Sequence, residues 1–420
     1  MKLRTTILIT TLALTLQGRA QDNNNTTPPA QPLSQPALTA MPKQADDKKW
    51  YDKFAIRGYM QFRQNNLVET NDKLVCAQCD GSWGGTNGVA VRRARIVFQG
   101  QVYENIFFKI EADFATGISG TATSQNFTQV RDAYVDVGLT PENELKVRLG
   151  QSKVPYGFEN LQSSGVRLLM DRSDAINSAL LTERDLGAFL YYTPKELKKL
   201  YADLVNDNYK GSGDYGILAF GIYNGQTANR PEQNKSQHVV ARATYPFKIG
   251  SQIIEPGIQG YTGKYVMYDT QLTSGVNYSH DKNYLDQRAG LSFVLYPRPF
   301  GIQAEYNIGK GPQFDKATQS IATKSLTGGY TTFSYRLPYK KMYFSPYTRV
   351  QYYNGGRKFE TDARSYTVHQ FDLGLEFQLN KYFELTAEYC ISDRDQIDFA
   401  TQNNHQKGNS LRLQAQVNFF

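Results

Sequence analysis

The sequence has few of the features on which membrane helices, metal sites and disulfide-rich domains depend. Its 420 residues include three cysteines, four histidines and two tryptophans, only 20% of them are charged, and the mean hydropathy is −0.53. No apolar run approaches the roughly 20 residues that a transmembrane helix needs, so a helical membrane protein is excluded. The 29 tyrosines, 23 phenylalanines and 34 glycines are equally informative. A chain this rich in aromatic residues is not disordered along its length.

The cysteines give little support for a metal or redox site. Cys76 and Cys79 form a CxxC motif, and Cys390 stands alone. A structural zinc site would need a second CxxC or a pair of histidines, and the histidines are scattered. A thioredoxin-like motif would need a strand-to-helix context, whereas loop-forming residues follow Cys79. A local disulfide and a pair of loop thiols remain as alternatives, and we predict no metal and no cofactor.

The N-terminal segment is typical of an exported protein. Lys2 and Arg4 precede an apolar run at 7–16, and Gly18 and Ala20 supply small residues before a cleavage site, so residues 1–20 are predicted to be a signal peptide. Residues 21–53 are rich in Asn, Thr, Pro, Gln and Ala and predict a flexible periplasmic linker. Removal of the signal peptide lowers the net charge from +8 to +5. This scattered excess does not predict nucleic-acid binding.

From residue 54 to residue 420, apolar and polar residues alternate, which is the period of a strand with two different faces. Near the C-terminus, Leu411, Leu413 and Val417 share one face, and Arg412 and Gln414 lie on the other. Sixteen such segments are centred near residues 59, 96, 110, 134, 148, 189, 220, 242, 258, 291, 304, 332, 349, 373, 387 and 415. An even number of strands is typical of a closed antiparallel barrel in a bacterial outer membrane.

The connections between these segments alternate in length. Short turns are predicted at 139–144, 247–251, 297–299, 337–341 and 380–381. Longer loops rich in Gly, Asn and Asp are predicted at 66–88, 115–128, 224–236, 266–284, 310–323, 355–365 and 393–407. The only helical candidates, 166–176 and 194–200, are short. Short turns on one side, long loops on the other and aromatic residues near the strand ends favour a transmembrane barrel over a soluble β-sandwich.

If the apolar face contacts lipid, the opposite face lines the lumen and carries the charges. Basic residues concentrate on the early strands, whereas late strands carry acids such as Glu376 and Glu384. This order predicts a field across a pore, and the alternative is that the charges pair between neighbouring strands. The segment 152–185 is the longest break between strands. We expect it to fold inward, because sixteen strands otherwise leave a wide aqueous channel.

Several segments resemble the phosphate-selective porins of the O and P type. They are residues 91–96, 107–114, 132–135, 150–159 and 170–173, which follow one another in the order of that family. The resemblance implies a trimer of sixteen-stranded channels, an inward-folded third loop and a ladder of basic residues that conducts anions. The acid-rich late strands depart from a purely basic ladder.

We therefore predict an all-β protein, a 16-stranded antiparallel transmembrane β-barrel over residues 54–420 in the outer membrane of a Gram-negative bacterium. Its function would be passive diffusion of small hydrophilic solutes with a preference for anions such as phosphate. Its partners would be outer-membrane lipid, the solutes and two further copies in a homotrimer. The predicted anion-pathway residues are Arg93, Arg95, Lys146, Arg148, Lys153, Arg167, Arg172, Arg242 and Arg288.

Three alternatives to an anion-preferring pore remain open. The first is a general porin without ion preference. The second is an outer-membrane enzyme whose site would involve His238, His280 or His405, although neither GxSxG nor HExxH occurs and the GxGxxG at 211–216 lacks its βαβ context. The third is an adhesin that uses its outer loops. We predict no enzyme and no catalytic residue.

Overall fold

The computed structural model describes residues 49–76, 83, 88–115 and 128–419. The predicted signal peptide, residues 21–48 of the predicted linker, and Cys79 lie outside the described residues. Trp50–Lys53 forms a single 3₁₀ turn directly before the first strand.

Sixteen antiparallel barrel strands follow, because two short segments continue the eighth and the twelfth strand along the same partners. In chain order, β1 to β16 are Phe54–Glu69, Gly88–Tyr103, Ile106–Asp113, Gln129–Gly138, Leu145–Lys153, Arg184–Tyr192, Leu218–Tyr223, His238–Thr244 with Phe247–Ile249, Gln252–Val266, Asn283–Leu295, Phe300–Asp315, Ser320–Tyr335 with Leu337–Tyr339, Met342–Gly356, Ser365–Asn380, Phe383–Ile397 and His405–Phe419.

The sheet closes on itself because β1 pairs with both β2 and β16. Gly58 lies opposite Ile96 on one side and Phe419 on the other. All sixteen predicted strand centres fall within these strands, so the predicted 16-stranded antiparallel barrel is confirmed. Closure joins the first and last of the sixteen strands, which is the condition for crossing a bilayer as a sheet.

The two faces of the wall differ as the alternation predicts. On β16, Leu413 and Val417 are exposed on the outside, whereas Arg412, Gln414 and Gln416 are buried on the inside. Large apolar side chains are exposed on the outer face all around the barrel, for example Leu291, which is 61% exposed. The interior is therefore polar and the lipid-facing surface apolar, the reverse of a soluble protein.

Two of the predicted outer loops are shorter than expected. Residues 310–323 belong largely to β11 and β12, whose pairing continues from Lys310 opposite Ser325 to Asp315 opposite Ser320. Residues 393–407 belong largely to β15 and β16. Gly, Asn and Asp suggested loops there, but hydrogen bonding between adjacent strands overrides these weak preferences.

In the residues that the structure describes, three short α-helices interrupt the strands. The first two, α1 (Phe158–Leu161) and α2 (Asp174–Asn177), lie between β5 and β6. The third, α3 (Lys195–Asn206), lies between β6 and β7 and is longer than the predicted candidate at 194–200. Within the described part of the chain, no helix has the length and apolar character needed to cross a membrane.

Candidate permeation pathway

Ion pairs between neighbouring strands cover much of the inner wall. Arg148 on β5 forms two hydrogen bonds with Asp136 on β4, at 2.6 and 2.8 Å. Arg95 on β2 contacts Asp113 at 2.7 Å and Glu111 at 3.1 Å, both on β3. The alternative considered from the sequence therefore holds for these residues, because the wall charges pair across adjacent strands. Each bond to a charged group is stronger than a neutral one and fixes the position of the guanidinium.

The late strands show the same arrangement. Arg349 on β13 donates to Asp372 on β14 at 2.8 Å, and Arg412 on β16 donates to Glu388 on β15 at 2.6 Å. Asp372 and Glu388 are thus neutralised by arginines from adjacent strands, whereas Glu376 pairs with Lys210 of the connection between β6 and β7. A simple division into a basic and an acidic half does not describe the interior.

We call residues 154–183, which connect β5 and β6, the third loop. Most of its side chains are buried, whereas exposed residues are frequent in the external connections 224–237 and 267–282. Lys153, at the end of β5, donates to the carbonyl oxygens of Leu161 at 2.9 Å and Gln162 at 2.7 Å. Arg172 forms an ion pair with Glu183 inside the loop. These contacts give the loop a compact internal structure.

The third loop also contacts strands far from its own base. Asp171 accepts hydrogen bonds from Arg63 on β1 at 3.3 Å and from Arg412 on β16 at 2.5 Å. The backbone nitrogen of Met170 donates to Glu388 at 3.1 Å. Burial alone would raise the pKa of the Asp171 carboxyl, but the charges of Arg412 and Arg63 lower it below its usual range.

Further contacts join the loop to β10 and β11. The backbone nitrogens of Phe158 and Glu159 donate to Glu305 at 2.8 and 2.7 Å. Arg288 donates to the carbonyl of Ala175 at 3.0 Å and to the hydroxyl of Ser178 at 2.9 Å. All of these wall side chains belong to the inner face, so the loop lies against the inner wall on the side opposite β5.

The nine predicted basic residues fall into two groups. Arg93, Arg95, Lys146 and Arg148 lie on the inner face of β2 and β5. The other five donate hydrogen bonds to backbone carbonyl oxygens of two connections. Lys153, Arg167, Arg172 and Arg288 donate to the third loop, and Arg242 donates to Gly216 in the β6–β7 connection.

Two further basic residues reach the lumen more openly than most of these nine. The Lys109 side chain on β3 is 20% exposed, although Glu111 and Asp132, its ion-pair partners, are 7% and 2% exposed. Arg57, on the inner face at the start of β1, is exposed. The alternation places both residues in phase with the lumen, but the predicted pathway did not include them. Sequence alone does not show which wall cations are covered by the third loop.

One group of buried side chains has the composition of a metal site. Within the described residues, Asp372, Glu388 and Cys390 bring three ligand atoms within 4.8 Å of one another. Both carboxylates already accept hydrogen bonds from arginines, Arg349 and Arg412. The group is an ion-pair network that supports the third loop, since its charges are balanced without a metal.

The cysteines differ in state. Cys76 is disulfide-bonded, and Cys390 is a buried free thiol. Cys76, Leu74 and Trp83 from the first outer connection pack with Cys390 in one apolar cluster. The disulfide alternative therefore applies to Cys76, and the apolar cluster packs the outer connection against the inner wall.

Comparison with known proteins identifies the architecture. No curated protein sequence matches the chain. Among solved structures, the outer-membrane channel DcaP of Acinetobacter baumannii has 15% sequence identity and a TM-score of 0.55, covering 87% of this chain and 97% of that chain. OmpF of Salmonella typhi, in complex with daunomycin, has 13% identity and a TM-score of 0.52, with coverage of 87% and 97%. The anion-selective porin from Comamonas acidovorans has 11% identity and a TM-score of 0.51, with coverage of 87% and 99%.

At these identities the likenesses show a common fold. The family evidence is stronger, because the family model described as phosphate-selective porin O and P matches residues 77–419, which is most of the chain. The closed barrel, its apolar outer face and its charged interior agree with that match. The chain belongs to the phosphate-selective porin O and P family and is a channel of the Gram-negative outer membrane.

Proposed function

We propose that this channel conducts small hydrophilic solutes passively and prefers anions such as phosphate. The observation that carries the proposal is the exposure of Lys109, which exceeds that of both carboxylates paired with it. A solute that follows this wall therefore meets more of the lysine side chain than of either acid. In a narrow lumen with low-dielectric walls, such a difference in exposure biases which ions enter.

The neighbouring wall carries a further lysine. Lys146 on β5 is 15% exposed and lies 3.6 Å from Asp136 and 3.3 Å from Asp214 of the β6–β7 connection, which are 10% and 23% exposed, so its charge is balanced by acids on both sides. Together with the exposed Arg57, these lysines line the inner face of β1, β3 and β5, and the third loop contacts β1 farther along the strand, at Gln61 and Arg63. We propose this side as the path of the solute, with the third loop as the constriction.

The comparisons support the same preference through the descriptions of the matching proteins. The matching family is described as phosphate-selective, and the Comamonas acidovorans porin is described as anion-selective. Passive diffusion needs no cofactor, and the charged groups of the wall would act by attraction and repulsion alone.

Planar-bilayer recordings with single-site variants test the proposal. Lys109→Glu and Lys146→Glu should each move the zero-current potential in a KCl gradient toward the cation side. Lys310→Glu makes the same charge change on the outer face of β11, where the side chain is exposed, and should leave the potential unchanged. Equal shifts in all three variants would refute the assigned pathway.

Phosphate can be tested separately from general anion preference. In a channel that binds phosphate, millimolar phosphate should reduce the chloride current of the native protein, and Lys109→Glu should weaken this reduction. An anion-preferring current that phosphate does not reduce would identify an anion pore without phosphate selectivity. A current without ion preference would identify a general porin.

We also propose that the channel is a homotrimer, because one sector of its wall is too low to face lipid alone. β3 and β7 contain 8 and 6 residues, whereas β11 contains 16. At about 3.3 Å per residue and a tilt of about 40°, six residues rise only about 15 Å, less than the roughly 25 Å apolar band. The outer side chains Ile110 and Phe220 of this sector are exposed and apolar, and a second copy would cover them.

The mass of the detergent-solubilised protein tests this assembly. Ile110→Arg on the low sector should convert a trimer into monomers. Leu291→Arg, on the tall wall formed by β9 to β16, should leave the trimer intact. A native protein that is monomeric in mild detergent would contradict the trimer without affecting the channel.

A further inference from the structure

The connection between β6 and β7 differs from every other described connection at its end of the barrel. The short turns at this end contain two to six residues, whereas residues 193–217 form a connection of 25. Short turns mark the periplasmic end of outer-membrane barrels, so we call residues 193–217 the periplasmic segment. Its helix α3 is amphipathic, with Leu204 and Tyr201 buried and Lys199 exposed.

The apolar side of α3 packs inside the barrel mouth. Leu204 and Tyr201 belong to one apolar cluster with Val294 on β10, Ile253 on β9 and Phe158 of the third loop. Val294 and Ile253 are inner-face residues at the periplasmic ends of their strands. The helix is therefore inside the mouth and in contact with the third loop above it, instead of lying on the periplasmic surface.

After α3, the chain crosses to the opposite wall. Asn208 donates to Gln378 on β14 at 2.9 Å and also bonds the Tyr343 hydroxyl on β13. The Lys210 ammonium contacts both carboxylate oxygens of Glu376 on β14, at 2.7 and 2.5 Å, and both side chains are nearly inaccessible to solvent. The segment is joined to β6 and β7 at its two ends, and its middle reaches β13 and β14, seven strands away in a barrel of sixteen.

Little space remains between the periplasmic segment and the third loop. The Gln162 side chain donates to the carbonyl of Lys210 at 2.5 Å, which joins the two segments directly. A cavity of about 20 Å³ lies between them, lined by Arg167 and Leu169 of the loop, Tyr209 and Lys210 of the segment, and wall residues that include Thr332. This space holds about one water molecule and does not pass a hydrated ion.

We infer that the periplasmic segment is a second constriction, fixed across the lumen by the Lys210–Glu376 pair, which closes the exit under β8 to β14 and leaves the exit under β1 to β5. At the open side, inner-face residues such as Arg57 and Gln101 are exposed. Lys210 is a positioning residue, because it is buried and acts by holding the segment in place. The inference needs a conducting barrel and holds for either ion preference.

Two variants distinguish an effect of the segment's position on conductance from an effect of its charge. Lys210→Met leaves a negative Glu376, and Glu376→Gln leaves a positive Lys210, so direct electrostatic effects on ion flow are opposite. If the pair fixes the segment, both variants should raise the single-channel conductance, by up to about twofold, because release of the segment widens the lumen below the third loop. The matched control is Lys195→Met, which breaks the exposed Lys195–Glu142 pair on the same segment and should change nothing.

A reversible crosslink keeps the test valid if the variants fold less well. Cysteines introduced at Asn208 and Gln378, whose side chains are in contact, would tie the segment to β14 in a Cys390→Ser background that removes the native free thiol. Combined with Lys210→Met, oxidation should return the conductance to the native value, and reduction should raise it again.

The outcomes are distinguishable from those of the proposed function. Conductance equal to the native value in Lys210→Met and Glu376→Gln, or changes of opposite sign in the two, would overturn the second constriction while leaving the channel in place. Absence of conductance in the native protein would refute the channel itself. An increase in both variants that oxidation of the crosslink reverses would establish the segment as the constriction.

Discussion

Substitution of Asp171 by Asn should loosen the third loop. The carboxylate is 6% exposed and contacts Arg63 and Arg412, each 1% exposed. Removal of one partner from a buried ion pair costs about 3–5 kcal/mol, because the remaining charge stays buried without compensation. Arg412 keeps Glu388, and Arg63 keeps Gln414, so we take the lower value. A change of about 3 kcal/mol raises the ratio of undocked to docked loop by roughly 150-fold.

Single-channel recording reports this change directly. If the third loop forms the constriction, its excursions should appear in Asp171→Asn as increased open-state noise and as closure at a lower applied voltage. The control is Asp281→Asn, in which the altered carboxylate lies in an exposed external connection and accepts a hydrogen bond from Ser279. Its traces should match those of the native protein.

The refuting result is equally clear. Native noise and native closing voltage in Asp171→Asn, in a protein with native heat stability, would show that this ion pair does not hold the loop or that the loop does not limit the current. Loss of the folded barrel would be recognised in gels, because the unheated protein would then migrate like the heat-unfolded protein. Restoring Asp171 would return the mobility of the folded barrel.

Two further predictions follow from the same geometry. Because the folded-state pKa of Asp171 is depressed, its contribution is present above its unfolded pKa and is lost only as the pH falls through the lowered folded value; the difference in open-state noise between Asp171→Asn and the native channel should therefore be the same at about pH 7 and about pH 5. Leu291→Lys on the lipid face should lower the free energy of unfolding in lipid vesicles by about 2–4 kcal/mol, whereas Gln287→Lys, nearer the outer rim of the same strand, should cost about 0–1 kcal/mol.

The strands could be predicted from sequence because period-two alternation is a local signal. Each strand has one face in lipid and one in a polar interior, so Leu413 and Arg412 differ in polarity at adjacent positions. Loop boundaries were less predictable. At Gly311 and Pro312, turn-forming residues occur within paired strand, because the neighbouring strand supplies the hydrogen bonds.

The site could be predicted only in part, because accessibility depends on contacts between distant residues. Arg288 and Lys109 have the same inward phase in the sequence, yet the first is covered by the third loop and the second faces the lumen. The periplasmic segment shows the same limit. Its helical period is visible, but its position depends on Lys210 meeting Glu376, 166 residues away along the chain.

The zero-current potential of the native channel in a KCl gradient is the decisive measurement of its ion preference. We expect stepwise single-channel currents and a potential of the sign that chloride preference produces. A potential of the opposite sign would contradict the anion-facing wall around Lys109. The absence of current steps from correctly folded protein would contradict the channel.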